Sequence, residues 1–199
     1  MTDFSQIRPF HDSEVSEILG YIKDNPTMRQ LLHFGFPKLS EEEQIKLLLS
    51  CKKIRDFQSR IMYPIIKNAI SKSLTQFSGE GFEYLNPAQA YLFISNHRDI
   101  ILDTSFLNVL LHENGFKMTA SAMGSNLVNR PFLLSFAKLN RNFIIHRGLS
   151  PRETLEKSQI VSKFIGRCII EKNRSVWIAQ REGRTKDGND RTQQGVIKM

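Results

Sequence analysis

Through residues 1–80 the apolar positions recur at helical spacing. Ser13 stands ahead of Glu14-Val15-Ser16-Glu17-Ile18-Leu19, where Val15, Ile18 and Leu19 fall on one helical face. Ser40-Glu41-Glu42-Glu43 has the form of a helix start: an N-cap serine, a glutamate three residues on, and acids in the first turn. From there Ile45, Leu48, Leu49, Ile54, Phe57, Ile61 and Ile65 keep a helical rhythm. One long helix is therefore expected, kinked or divided at Pro64.

Ser78-Gly79-Glu80-Gly81 breaks this texture, and short β-rich runs then alternate with helical ones. Strands are expected at Ala90–Ser95, Phe116–Ala120, Asn142–His146 and Ser175–Gln180. Helices are expected at Leu102–Glu113, Leu127–Leu139 and Pro151–Glu171. This alternation predicts an α/β fold with a mainly parallel central sheet flanked by helices, preceded by an N-terminal helical segment. The division is residues 1–80, helical, and residues 81–199, α/β. Ligand groups in such sheets gather where strands end and helices begin.

Lys and Arg total 28 against 20 Asp and Glu, a formal +8, which favours an anionic partner such as nucleic acid, an anionic membrane surface, or a phosphorylated or acidic carrier. A basic surface that serves only solubility is the plainer alternative. Aromatic residues are not interleaved with the basic ones, which argues against single-stranded nucleic acid. Cys51 and Cys168 have no metal-type spacing and read as buried packing residues of a reducing compartment. The first residues lack a basic stretch followed by an apolar core, and no apolar run approaches the ~20 residues that span a bilayer. A soluble or membrane-surface protein is expected.

The strand expected at Ala90–Ser95 runs into Asn96-His97-Arg98-Asp99-Ile100-Ile101-Leu102-Asp103, delivering a histidine to a turn with two carboxylates close by. Histidine is suited to take a proton near neutral pH, and a carboxylate can fix its tautomer and support its charged form. The competing assignment makes His97 a turn cap and Asp99 or Asp103 a helix cap. His97-Arg98-Asp99 also looks like a protein-kinase catalytic loop, but Thr104 stands where that loop needs asparagine, and no Gly-rich loop precedes it. Two further strands end alike: Asn142 to Ile145 runs into His146-Arg147-Gly148, and Val176 to Ala179 into Gln180-Arg181-Glu182-Gly183-Arg184-Thr185. Arg147, Arg181 and Arg184 could face one crevice, and arginine grips phosphate with two donors.

In this order the blocks resemble the glycerolipid acyltransferase family, which includes glycerol-3-phosphate and lysophosphatidate acyltransferases. Ser95-Asn96-His97 matches the family's Asn-His block, Phe143 to Gly148 its second, and Glu182-Gly183 its third; Ala122 to Leu139, with Asn126 and Pro131, resembles the helical segment before the second. The resemblance covers residues 84–199. Asp103 lies six positions after His97, one more than the family pattern, which calls for a bulge at the helix start; Asp99 is the other candidate partner, and Asp103 is preferred. Arg181 replaces the family's proline, and Arg184-Thr185 reverses the usual order. The family continues into another strand, so part of the sheet is expected to lie beyond Met199.

The resemblance implies direct transfer of a fatty acyl group from a coenzyme A or acyl-carrier-protein thioester to a glycerol-phosphate or lysophospholipid hydroxyl, without an acyl-enzyme. The chain has no Gly-x-Ser-x-Gly elbow that would contradict this. His97 would be the general base and Asp103, or Asp99, its partner. Asn96, Arg98, Arg147, Glu182, Gly183 and Arg184 would position the acceptor, and N–H groups at the following helix start would steady the oxyanion. No metal or cofactor is implied beyond the thioester co-substrate. The implied partners are the acyl donor, the acceptor and an anionic membrane surface, not nucleic acid, and the implied place is peripheral on the cytoplasmic face, in phospholipid biosynthesis. Phe34-Gly35-Phe36-Pro37 and Ile61-Met62-Tyr63-Pro64-Ile65-Ile66 would either touch that membrane or form a helical cap on the sheet. The rivals are a thioester hydrolase using the same residues and a non-catalytic basic lipid-binding module.

Overall fold

Capping chemistry sets out the N-terminal helices of the computed structural model, which describes residues 2–189 and 191–197. Met199, the last residue of the α/β segment as divided above, lies outside the described residues. Helix α1 is Val15–Ile22, α2 is Pro26–Gly35 and α3 is Glu41–Leu49. Asn25 caps α2 ahead of Pro26, and Ser40 caps α3 in the reciprocal box with Glu43 that the sequence announces. The long helix expected from residue 45 onward is interrupted earlier than Pro64. Ser50 Oγ donates to the Leu47 carbonyl at 2.6 Å, and Asp56 accepts the N–H groups of Lys52 and Lys53, each at 2.9 Å, capping a restart. The restarted helix runs as α4 (Ile54–Asp56), a π-helical stretch (Phe57–Met62) and α5 (Tyr63–Ser73). Pro64 sits where the wide turn ends: Tyr63 N–H reaches back five residues to the Gln58 carbonyl.

These helices bury Val15, Leu19, Leu32, Leu48, Phe57 and Ile61 together with Leu139 of a later helix, so they form a cap over the α/β layer. Ile61 and Ile65 lie inside that core, which makes their run a packing surface, whereas Phe34 is exposed with the Lys72 ammonium 4.8 Å from its ring.

Four parallel strands, β1 (Leu92–Ser95), β2 (Ala120–Gly124), β3 (Asn142–Ile145) and β4 (Val176–Ala179), make one sheet in the order β1-β4-β2-β3. Helices α6 (Leu102–Glu113), α7 (Pro131–Leu139), α8 (Pro151–Gly166, extended by a π-helical turn to Glu171) and the short α9 (Gln194–Ile197) complete the described chain. The expected helix at Leu127–Leu139 starts at Pro131, after a 3-10 turn at Ser125–Leu127.

Strand β2 begins four residues later than the expected Phe116–Ala120. Thr119 N–H is taken by the Asn108 side chain at 2.7 Å, and the ladder opens only where Ala120 N–H meets the Ser175 carbonyl at 2.9 Å. One sheet face, with Ala120, Ala122, Phe143, Ile145, Val176 and Ile178, packs on Val161, Phe164 and Ile165 of α8. The opposite face carries Thr119, Ser121, Met123, Asn142, Ile144 and Trp177 and turns toward α6 and α7.

The outer edge of β3 is covered by the N-terminal segment: Ile144 N–H donates to the Ile7 carbonyl at 2.9 Å, and Phe4 meets Phe164 edge-on at 5.5 Å. Arg8 anchors this segment by a two-point pair with Glu14, at 2.7 and 3.0 Å. The Arg8 bonds, followed by the His11 N–H, draw the Glu14 carboxyl down from 4.5 to about 2. A carboxyl depressed in the folded state stabilises the protein above its unfolded pKa, and that stability is lost as the pH falls through the folded value. Wild type should therefore exceed Glu14→Gln by about 1 kcal/mol or less at neutral pH, the gap narrowing below 4.5 and closing near 2. Denaturant melts across that range check this; a gap independent of pH would rule it out.

Candidate active site

In a parallel sheet every strand delivers its C-terminal end to one edge, and here that edge collects the loops after β1, β2, β3 and β4. The loop after β1 places His97 Nδ1 2.8 Å from Asp103 Oδ2, both side chains about five-sixths buried (16% exposed). Asp103, in the first turn of α6, also accepts the N–H groups of Arg98 at 2.9 Å and Asp99 at 3.2 Å. A carboxylate can only accept, so His97 Nδ1 must be the protonated nitrogen and the neutral ring carries its lone pair on Nε2.

Asp99 does different work. Its Oδ1 accepts the N–H groups of Ile101 and Leu102, each at 2.8 Å, and so caps the entry to α6. Those two bonds, Leu102's first, hold its carboxyl below the usual range, helped by the charge of Arg184. The extra residue between His97 and Asp103 is taken up in this capped turn ahead of α6, and no bulge in the helix is needed.

The other strand ends close around the pair. Thr185 N–H donates to the His97 carbonyl at 2.9 Å, and the Trp177 ring stands edge-on to the imidazole at 6.0 Å. Asn96 Oδ1 accepts from Gln180 Nε2 at 3.0 Å. Arg147, after β3, pairs with Glu182, after β4, at 2.8 Å, and its own N–H is held by Ser125 Oγ at 3.1 Å. Gly183 occupies a left-handed conformation (φ +72°) that turns the chain between Glu182 and Arg184. Arg98 reaches toward Gly188, and Arg184 lies near Asp99, whereas the charge of Arg181 acts on Asp187. A Cβ at Gly124, at the end of β2, would lie 2.6 Å from Asn126 Oδ1, so a side chain there would push Asn126 aside, close to Arg147.

Beside the pair, a cavity of about 190 Å³ opens between α5, α6, α7 and the polar sheet face. Ile100 and Ile101, in the turn that carries the dyad, form part of its wall, and Met62, Ile66, Met118, Leu133 and Phe136 make most of the rest apolar.

The acyltransferase family pattern matches residues 76–195, more than half of the chain. The chain belongs to the acyltransferase family. No curated protein matched the chain in a sequence search. Within this acyltransferase the matched span runs from just before β1 past β4 and includes His97, Asp103, Arg147 and Glu182.

The sequence reading of the acyltransferase missed Trp177, Thr185, Gln180 and the cavity. No local pattern marks them: each acts on a residue about 80 positions away along the chain. The N–H groups of Arg98, Asp99, Ile101 and Leu102 at the helix start are taken up by Asp103 and Asp99, so these four are not available to an oxyanion. Removing the Asp99 cap with Asp99→Ala should lower stability by about 0.5–2 kcal/mol. Because His97–Asp103 stays intact, activity should fall far less than on loss of either dyad member. Chemical melts and initial rates on one preparation check both; a loss equal to that of Asp103→Asn would return Asp99 to the role of partner.

Proposed function

We propose that the protein moves a fatty acyl group from a coenzyme A or acyl-carrier-protein thioester to the hydroxyl of a glycerol-phosphate or lysophospholipid acceptor, with His97 as general base. The observation that carries this reading is the 2.8 Å bond from His97 Nδ1 to Asp103, at the strand-end edge of the sheet. It puts the basic lone pair on Nε2. That nitrogen takes the acceptor's hydroxyl proton as the oxygen attacks the thioester carbonyl. The tetrahedral intermediate collapses by breaking the C–S bond, and the imidazolium returns the proton to the departing thiolate. Asp103 orients the ring and supports its charged form, and Asp99 holds the turn in which the pair sits.

Arg98 and Arg184 stand near the pair, and Arg147 joins Glu182 at the same strand-end edge. They suit an acceptor that carries a phosphate, with Arg147 oriented by Glu182, Asn96 by Gln180, and the loop turned at Gly183. The cavity beside the dyad supports a fatty acyl chain, since an apolar chain gains most from an apolar enclosure. Ile101, Leu102 and Leu133 are exposed at that side of the molecule, with Arg98 and Arg130 exposed nearby in the chain. Among the described residues no helix is long and apolar enough to cross a membrane. These features fit peripheral contact with an anionic membrane, here assigned to the cytoplasmic face.

The test is thiol release from acyl-coenzyme A and acyl-carrier thioesters, with and without glycerol-3-phosphate, lysophosphatidate or other lysolipids. Release that depends on an acceptor is the expected result. Release indifferent to every acceptor would make the protein a thioester hydrolase, and none from folded protein would leave a basic lipid-binding module.

A further inference from the structure

The wall of the cavity is not uniformly apolar, and its polar part is ordered. Where the sheet face against α8 carries only Ala, Val, Ile and Phe, the face toward the cavity has Thr119 and Ser121 on β2 and its approach, with Asn142 paired beside Ser121 on β3. Asn108 lines the cavity from α6, as do Thr104 and Ser105 on the same helix.

Hydrogen bonds fix how the Asn108 amide is turned, and the Met123 sulfur favours one turn of the Asn142 amide. Thr119 N–H donates to Asn108 Oδ1 at 2.7 Å and Thr119 Oγ1 to the same oxygen at 3.1 Å; Ser121 Oγ in turn lies 2.9 Å from Thr119 Oγ1. Because the backbone N–H can only donate, the atom facing it must be the Asn108 oxygen. Asn108 Nδ2, a donor, has no hydrogen-bond partner among the described residues and belongs to a side chain that lines the cavity. Asn142 Nδ2 meets the Met123 sulfur at 3.9 Å, which leaves its Oδ1 as an acceptor with no partner among the described residues. A mostly apolar enclosure, with Thr104, Ser105, Gln58 and Asn140 also on its wall, thus carries an oriented donor on Asn108 and an acceptor on Asn142.

We infer that this cavity takes an acyl chain bearing a hydroxyl within the chain, which accepts from Asn108 Nδ2 and donates to Asn142 Oδ1. A hydroxyl can both accept and donate; a ketone can only accept, and a plain methylene leaves both amide groups facing the chain without a partner. The depth places the group. Asn108 is five residues beyond Asp103 on α6, or about 7.5 Å along the helix axis from the level of the dyad. The hydroxyl therefore lies well down the chain from the reacting carbonyl. This inference rests on the acyl-transfer reading above for the identity of the chain, and on the cavity alone for the hydroxyl.

The test compares thioesters of equal chain length with no hydroxyl, a hydroxyl on the β-carbon, or a hydroxyl in mid-chain, using the whole protein. The matching free fatty acids are titrated in parallel by thermal shift. The mid-chain hydroxyl should raise kcat/KM and tighten fatty-acid binding on the order of ten-fold over the plain chain. Asn142→Leu should erase that preference. Asn108→Asp, which keeps an oxygen for Thr119 while removing the donor, provides a second variant should the first not fold. Equal handling of plain and hydroxylated chains by wild type, in both rate and binding, overturns the inference. Absence of transfer with every thioester, alongside retained preference for the hydroxylated fatty acid, sinks the catalytic reading and leaves the cavity's specificity standing.

Discussion

His97→Ala is expected to lower kcat/KM for acyl transfer by about 10²–10⁴-fold, the range that positioned proton transfer supplies. The acceptor hydroxyl is a weak nucleophile at neutral pH, and the variant leaves nothing in the dyad to take its proton. The fold should survive, because the surrounding loop is held by Asp103 bonded to Arg98 and Asp99 N–H, by Asp99 bonded to Ile101 and Leu102 N–H, and by Thr185 bonded to the His97 carbonyl. Asp103→Asn separates orientation from basicity. An amide can turn its NH₂ toward Nδ1, which favours the other tautomer and moves the lone pair away from Nε2. It should therefore approach the loss seen with His97→Ala, although the imidazole remains. Initial rates on matched preparations, with circular dichroism as a check on folding, decide this. A His97→Ala protein of unimpaired rate would remove His97 from the chemistry altogether.

Phe143→Ala should produce the largest loss of stability, about 3–5 kcal/mol. Phe143 is fully buried in the middle of β3, its ring centre 5.2 Å from that of Phe164 on α8, in the cluster that includes Ile7, Ala120, Val161 and Val176. Truncation removes the transfer free energy of a whole ring and leaves a cavity between two β-strands and a helix that cannot easily close on it. Since domains of this size are stable by only about 5–15 kcal/mol, the loss is a large share of the total. Ile170→Ala is the control: that side chain is 83% exposed, and the change should stay within about 0.5 kcal/mol. Urea unfolding of the three proteins tests the contrast. A Phe143→Ala protein as stable as wild type would mean that the β3–α8 packing is not the structural core.

Much of the fold was legible because its signals are local. The expected α6 coincides with the observed Leu102–Glu113, since its apolar period and acidic start lie within one stretch of chain. Ser40 and Glu43 announce α3 for the same reason. Strand β2 was misplaced because Phe116 and Met118 look like strand residues, yet what ends the preceding loop is Asn108, eleven positions upstream of Thr119. The division expected at Pro64 is present as a wide turn, but the earlier break at Ser50 depends on Asp56 reaching back to Lys52 and Lys53, a side-chain choice that periodicity does not register.

The sequence by itself determined the alternation of parallel strands and helices, the three strand ends bearing His97, Arg147 and Glu182, and their order along the chain, because each is written within a few adjacent residues. The tertiary structure decided which neighbours those residues meet. The order β1-β4-β2-β3 sets the His97 loop beside the Thr185 loop and brings Arg147 to Glu182. The turn geometry assigns Asp103 to the imidazole and Asp99 to the helix cap, where spacing alone left both open. Strand pairing also sets Asn142 beside Ser121, while Asn108 reaches β2 from α6, so the polar wall of the cavity exists only in the folded chain. Local propensity acts over one or two turns, whereas a site is made by contacts between residues tens of positions apart, which only the packed sheet brings within hydrogen-bonding distance.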